Sequence, residues 1–179
     1  MIAIRWHGRG GHGVLTAAQL LAQAVARSGL YVQALPHFGP ERRGAPVIAF
    51  TRVSPKPIEV RTRVYEPDVV AVLDSTLVKS VRVWEGLKPA GAMILNAERE
   101  PESLRDKFSG FRLFLVDATS IAMDTLGMNM PNTAMLGAVI RVTGLADLAD
   151  VEEVVMEALG EKNVKALKTA FQNTKEVGG

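Results

Sequence analysis

Cysteine is absent from the 179-residue chain. That excludes a disulfide, a thiolate zinc site, a cysteine-held iron–sulfur cluster and a thiolate nucleophile. Aromatic residues make up only 6%. With no helix-turn-helix or RNA-binding signature and no dense basic run, nucleic acid is not the expected partner. Every long apolar stretch is interrupted by Arg, Asp, Glu or Lys, so no membrane span is expected. Met1 to Trp6 show no basic region, long apolar segment or small-residue cleavage site of a signal peptide, and the expected location is the cytoplasm. Acids are missing before Glu41.

The remaining composition, 47% apolar and 22% charged, suits one folded domain over residues 1–179 with a real core. A net charge of +2 conceals a gradient. Residues 1–63 hold nine Arg and Lys against Glu41 and Glu59, and the other residues hold 12 bases and 17 acids. The amino-terminal third therefore suits an anionic ligand or partner. For Arg52, Lys56, Arg61 and Arg63 a solvated sheet face accounts for the charge equally well.

Along the chain, Ile2–Trp6 reads as a strand, Gly8 to Gly13 as a turn and Val14–Arg27 as a helix. The helix has Val14, Ala17, Ala18, Leu21, Ala24 and Val25 on one face and Gly29 as its stop. Tyr31–Leu35 reads as a second strand. Val47–Val53 and Ile58–Thr62 are expected to pair around Ser54-Pro55-Lys56-Pro57. Val69–Leu73 reads as a strand buried on both faces, handing over at Asp74-Ser75 to a helix from Thr76 to Gly86. Met93–Leu95 and Leu113–Val116 are further buried strands, with a helix expected over Pro101–Phe108. Four helices follow, over Ile121–Leu126, Asn132–Val142, Val151–Leu159 and Val164–Phe171. The alternation predicts an α/β fold, a three-layer α/β/α sandwich with a largely parallel sheet and one antiparallel strand pair.

Gly8, Gly10 and Gly13 meet the G-x-G-x-x-G spacing between a strand and a helix, where backbone amides and the helix N-terminus can receive a phosphate. Sterics alone also favour glycine in so tight a turn. An NAD site would want an acid at the end of the second strand, and Tyr31 to Leu35 has none. NADP or coenzyme A, with its extra ribose phosphate, tolerates that absence. A Walker A loop is excluded because no Gly-Lys-Ser or Gly-Lys-Thr occurs.

The three histidines, His7, His12 and His37, show no i, i+4 pair, so a metal site is not expected. No G-x-S-x-G elbow supports a serine nucleophile. Met123, Met128, Met130 and Met135 read as adaptable packing. The segment Phe38 to Pro46 contains Glu41, Arg42 and Arg43 among rigid turn residues. It is either a solvated crossover or a docking element whose Arg forks bind a carboxylate, a phosphate or a partner.

Four stretches taken together are more specific. Gly8-Arg9-Gly10-Gly11-His12-Gly13-Val14, Thr16-Ala17-Ala18, Phe38-Gly39-Pro40-Glu41-Arg42-Arg43-Gly44-Ala45-Pro46, and Asn132 with Met135-Leu136-Gly137-Ala138 resemble the gamma subunit of the pyruvate:ferredoxin oxidoreductase (2-oxoacid:ferredoxin oxidoreductase) family over nearly the whole chain. His12 departs from the glutamine usual in that family. The Glu-Arg-Arg-Gly-Ala-Pro form of the third stretch is closer to the pyruvate and branched-chain members.

The resemblance implies a complex that oxidatively decarboxylates a 2-oxoacid, forms an acyl-CoA and reduces ferredoxin. Thiamine diphosphate, magnesium and the iron–sulfur clusters would sit on alpha, beta and delta type partners. This chain would be inactive alone, assisting assembly and coenzyme A binding. The phosphates are expected on Gly8, Arg9, Gly10, Gly11, His12 and Gly13, and Phe38, Glu41, Arg42 and Arg43 are expected at a subunit interface. Two other readings stay open, a stand-alone NADP- or nucleotide-binding oxidoreductase and a purely structural subunit. Isolated from its partners, the chain is expected to self-associate through an apolar docking face.

Overall fold

The computed structural model describes residues 1–37, 44–101 and 110–177. Seven strands form one sheet: β1 Ile2–Arg9, β2 Tyr31–His37, β3 Pro46–Ser54, β4 Val69–Val72, β5 Ala92–Asn96, β6 Arg112–Val116 and β7 Lys175–Val177. Their spatial order is β2-β3-β1-β4-β5-β6-β7. β1, β4, β5 and β6 pair in parallel, whereas β3 is antiparallel to both β1 and β2, and β7 is antiparallel to β6. Five strands thus point one way, which gives the mostly parallel α/β sheet read from the sequence.

Alternation along the strands divides the core. Ile4, Trp6, Ala71, Ile94 and Phe114 face one side, where they pack with α1 Val14–Arg27, α2 Ala118–Leu126, α3 Asn132–Thr143, α4 Leu148–Leu159 and α5 Glu161–Asn173. Val70, Val72, Met93, Leu95, Leu113 and Leu115 face the other side. There the cover is thinner, a 3-10 helix Ser75–Lys79 followed by turns that bring in Val83 and Leu87. The strand pattern IAIRWH places Arg5 and His7 on this second face while Ile4 and Trp6 are fully buried under α1.

Two sequence expectations are corrected. The antiparallel partner of β3 is β2 rather than Ile58–Thr62. With β1 on one edge of β3 and β2 on the other, no ladder is left for residues 58–62, and Pro55 and Pro57 remove two donors from the approach. The stretch after Asp74 is not a helix to Gly86. Asp74 does cap it, its side chain accepting from the Thr76 amide, but the coil stops at Lys79. Val78, Val81 and Val83 are β-branched, and the buried positions Leu77, Val78, Val83 and Leu87 do not share a helical face. The helix expected over Pro101–Phe108 lies, beyond Pro101, outside the described residues.

Candidate functional site

Strand order reverses beside β1. The chain leaves β1 through α1 toward β2, while β4 leads through β5 to β6 on the other side, and ligands in open α/β sheets gather at the carboxyl edge of such a switch point. The glycine segment occupies that edge. It is less of a loop than its spacing suggests, because β1 runs through Gly8 and Arg9, paired with Val47 and Pro46 of β3. Gly10 then donates to the Ala45 carbonyl (2.9 Å) and accepts from the Gly44 amide (3.1 Å), and the His12 amide donates back to the Arg9 carbonyl (3.0 Å).

Gly8 is set by close approach, since a Cβ there would lie 2.5 Å from Cγ2 of Val14. Gly13 caps α1 in the left-handed region (φ 69°), and a Cβ on it would lie 2.5 Å from the Asn132 side-chain nitrogen. Helix α1 starts with no side-chain cap and no acid in its first turn. Its first amides, with those of Gly11 and Gly13, therefore carry unspent donors and the positive end of the helix dipole.

Arg9 is placed otherwise than its position in a glycine loop suggests. Its Nε donates to Asp74 Oδ2 (2.6 Å), Nη1 to the Gly44 carbonyl (3.0 Å) and Nη2 to Thr76 Oγ1 (2.9 Å). The guanidinium ties β1, the end of β4 and the segment entering β3 across the switch point. Asp74 also accepts from the amide and hydroxyl of Thr76. Burial acts to raise its pKa, but the Thr76 hydrogen bonds and Arg9 outweigh that and hold it below the usual carboxylate range. His12 leaves its Nδ1 buried with no partner among the described residues.

Beside the glycine segment opens a cleft of about 740 Å³, within the size range of small-molecule sites. Gly11, Gly13 and Thr16 form one wall. Leu126, Met128 and Met130, at and beyond the end of α2, form an apolar wall, continued by Leu159. Asn132 opens α3, and Glu161, Lys162 and Asn163 open α5. Three helix N-termini therefore meet on one cleft. That of α5 carries its own acid, Glu161, so anion attraction concentrates at α1 and α3.

Asn132 is the residue that sequence reasoning passed over as a ligand. It is 4% exposed, its Oδ1 accepts from the Thr133 amide (2.9 Å), and its side-chain nitrogen finds no acceptor among the described residues while the residue lines the cleft. Its place at the first turn of a helix rich in small residues was the available signal. The structure thus gathers Gly11, Gly13, Thr16 and Asn132, and turns Arg9 away to a structural knot. Phe38, Glu41, Arg42 and Arg43 lie outside the described residues. Among the described residues no three His, Asp or Glu side chains are placed to hold a metal, and no helix is long and apolar enough to cross a membrane.

The family model of pyruvate ferredoxin/flavodoxin oxidoreductase matches residues 3–173. The chain belongs to this family. It is 53% identical to the "Pyruvate/ketoisovalerate oxidoreductases common subunit gamma" of Thermococcus kodakarensis, with 97% of each chain covered. It is 48% identical to the "Pyruvate synthase subunit PorC" of Methanocaldococcus jannaschii, covering 96% of each. The crystal structure of the pyruvate oxidoreductase subunit PORC of Thermotoga maritima superimposes with a TM-score of 0.87 at 38% identity, over 99% of this chain and 98% of that one. The fold also recurs, at 21% identity and a TM-score of 0.75, within 30% of the chain of a 2-oxoglutarate:ferredoxin oxidoreductase from Magnetococcus marinus solved with 2-oxoglutarate, coenzyme A and succinyl-CoA bound. As a family member the chain is the gamma subunit of a 2-oxoacid:ferredoxin oxidoreductase complex.

Proposed function

We propose that this subunit holds coenzyme A for its complex in the cleft between α1, α3 and α5, and that the acyl group delivered there derives from pyruvate or a branched-chain 2-oxoacid. The names of the relatives at about half identity support that substrate class. The complex decarboxylates the 2-oxoacid, forms the acyl-CoA and passes the electrons to ferredoxin. In this reading the alpha, beta and delta type subunits carry thiamine diphosphate, magnesium and the iron–sulfur clusters. This chain has no cysteine to ligate a cluster.

The observation that carries the proposal is the half-used Asn132. Its side-chain nitrogen, without an acceptor among the described residues and open to the cleft the residue lines, is free to donate to a ligand seated there. A phosphate oxygen suits that nitrogen together with the amides of Gly11, Gly13 and the first turn of α1. Lys162 at the rim adds a cation, and Met128, Met130 and Leu126 offer the flexible apolar wall that a pantetheine arm needs. Within the segment Gly8–Gly13, Gly8 and Gly10 set the backbone, while Arg9, through Asp74, fixes the orientation of the remaining amides. Glu41, Arg42 and Arg43 we assign, with Phe38, to the contact with a partner subunit.

The test is Asn132→Asp in the assembled complex. The substitution keeps the oxygen that serves the Thr133 amide, removes the donor and adds a negative charge. The Michaelis constant for coenzyme A should rise by about tenfold or more, given ~1.5–3 kcal/mol for a hydrogen bond to a charged group, while that for the 2-oxoacid stays constant. An unchanged coenzyme A constant would remove the cleft from consideration.

A further inference from the structure

Sulfur in this chain is carried by methionine alone, since cysteine is absent and the methionines number seven. Met93 and Met135 are sealed in the core at 0% exposure. Met128 is 55% exposed and, with Met130, lines the cleft. Local geometry puts it there. Helix α2 ends on Gly127 in the left-handed region (φ 72°), and the Met130 amide donates to the Met128 carbonyl (2.9 Å), so the link to α3 turns tightly at the cleft wall. Met123 and Met156 extend the sulfur-rich rim, at 48% and 47% exposure. Each lies three positions before a residue of the wall, Leu126 on α2 and Leu159 on α4, and so on the same helix face.

We propose that Met128 is an oxidation site, and that its modification by a peroxide weakens the hold of the cleft on coenzyme A. The inference rests on the reading of the cleft given above. The sulfur lone pair attacks one peroxide oxygen and the O–O bond breaks. The thioether becomes a sulfoxide, and hydrogen peroxide is reduced to water. A flexible apolar wall thereby gains a strong dipole and an acceptor oxygen. Its neighbours Leu126, Met130 and Leu159 bring no side-chain donor to meet that oxygen, so covering it with the pantetheine arm costs affinity. Exposure singles out Met128 from Met93 and Met135, and position singles it out from Met123 and Met156, which react from outside the cleft wall. The change is reversible through an enzyme of the sulfoxide reductase class, in which two thiols give a disulfide, water and the original thioether.

The experiment oxidises the purified full chain with hydrogen peroxide, removes the excess and reconstitutes the complex with untreated partner subunits. Peptide mass spectrometry should find the added oxygen on Met128, Met123 and Met156 and not on Met93 or Met135. The Michaelis constant for coenzyme A should rise by about fivefold while that for the 2-oxoacid holds. Treatment with a sulfoxide reductase and dithiothreitol should restore the parent value. Met128→Leu, whatever its own starting constant, should show no response to peroxide. The proposal is overturned by a Met128 that resists peroxide, by an unchanged coenzyme A constant once Met128 is oxidised, or by a response that persists in Met128→Leu. An oxidised chain that no longer joins its partners also overturns it. Asn132→Asp in the same assay tells the failures apart. If it raises the constant where peroxide does not, the cleft stands and the oxidation site falls; if neither raises it, the cleft falls as well.

Discussion

Two ionisable side chains of the described residues, His7 and Asp74, contribute to the response to acid in different pH windows. His7 is held near a pKa of about 3, first by burial and then by the charge of Arg5, against an ordinary value of 6.5. Because the folded pKa is depressed, the unfolded chain binds the extra proton as the pH falls through 6.5. Stability is then lost down to the folded value, with a slope that approaches about 1.4 kcal/mol per pH unit. His7→Gln should flatten this part of the urea-unfolding profile between neutrality and weak acid, and a profile with the parent slope would show that the ring takes up its proton equally in the folded and unfolded chain. Asp74 enters lower. Its carboxylate is favoured by Thr76 and Arg9, so its contribution is complete at neutral pH and fades only as the pH falls through the usual carboxylate range and below. Asp74→Asn should cost about 1–2 kcal/mol at pH 7, toward the lower end because Arg9 is partly exposed, and almost nothing at strongly acid pH. The sequence shows Asp74 as a cap, and the cap is there. That it also receives Arg9, 65 positions earlier, could not be read from spacing, since a basic residue in a glycine loop looks the same whether it faces a phosphate or a carboxylate of its own chain.

Between elements, one side-chain bond pins the two longest strands. Trp6 of β1 is fully buried beneath α1, and its Nε1 donates to Thr51 Oγ1 of β3 at 3.0 Å. Thr51 is itself buried, two residues along β3 from Ala49, the register partner of Trp6. Thr51→Val keeps the shape but leaves the indole N–H without an acceptor, which should cost about 1–3 kcal/mol. Trp6→Phe removes the donor along with part of the packing. In the double variant the two losses should add to less than their sum, with a coupling of about 1 kcal/mol in denaturant unfolding. Strict additivity would mean that the bond contributes nothing. The same level shows what the chain discloses about itself. Helix α1 was legible to its end residues because Val14, Ala17, Ala18, Leu21, Ala24 and Val25 form an unbroken face, and all six are buried. β4, β5 and β6 were legible because both sides of each are covered. The segment 58–62 misled because alternation reports only that a strand could form there, whereas β2 had already taken the edge of β3. β7 went unseen: three residues with Lys175 and Glu176 exposed carry no apolar pattern, and Arg112 holds Glu176 through Nε at 2.9 Å. In the site, the glycines announced the turn and its helix. The cleft's other half was hidden, because Asn132 and Lys162 come into range of Gly13 only through the packing of α3 and α5.

At the scale of the whole molecule the charge is unevenly divided along the chain. Residues 1–63 carry the basic surplus, and within it Arg52 of β3 donates to Gln33 Oε1 of β2 and to the Thr62 carbonyl. On the helical side Glu153 and Glu157 of α4 hold Arg27. These exposed pairs contribute little to stability. A field of one sign over one end instead governs which partner surface is met and how fast. If the contact with the other subunits runs through the basic end, as assigned above for Arg42 and Arg43, association should weaken steadily as salt is raised, because charges more than a Debye length apart are screened. The double substitution Arg42→Ala with Arg43→Ala should weaken association at low salt by up to about thirtyfold, at ~0.2–1 kcal/mol for each ion pair lost. It should also reduce the salt dependence, and leave the unfolding midpoint of the isolated chain unchanged. Sedimentation of the variant with its purified partners at low and high ionic strength measures both quantities. A parent complex indifferent to salt would place the interface on the apolar rim of Met123, Met156 and Leu159 instead, where burial of exposed hydrocarbon, not charge, would supply the affinity.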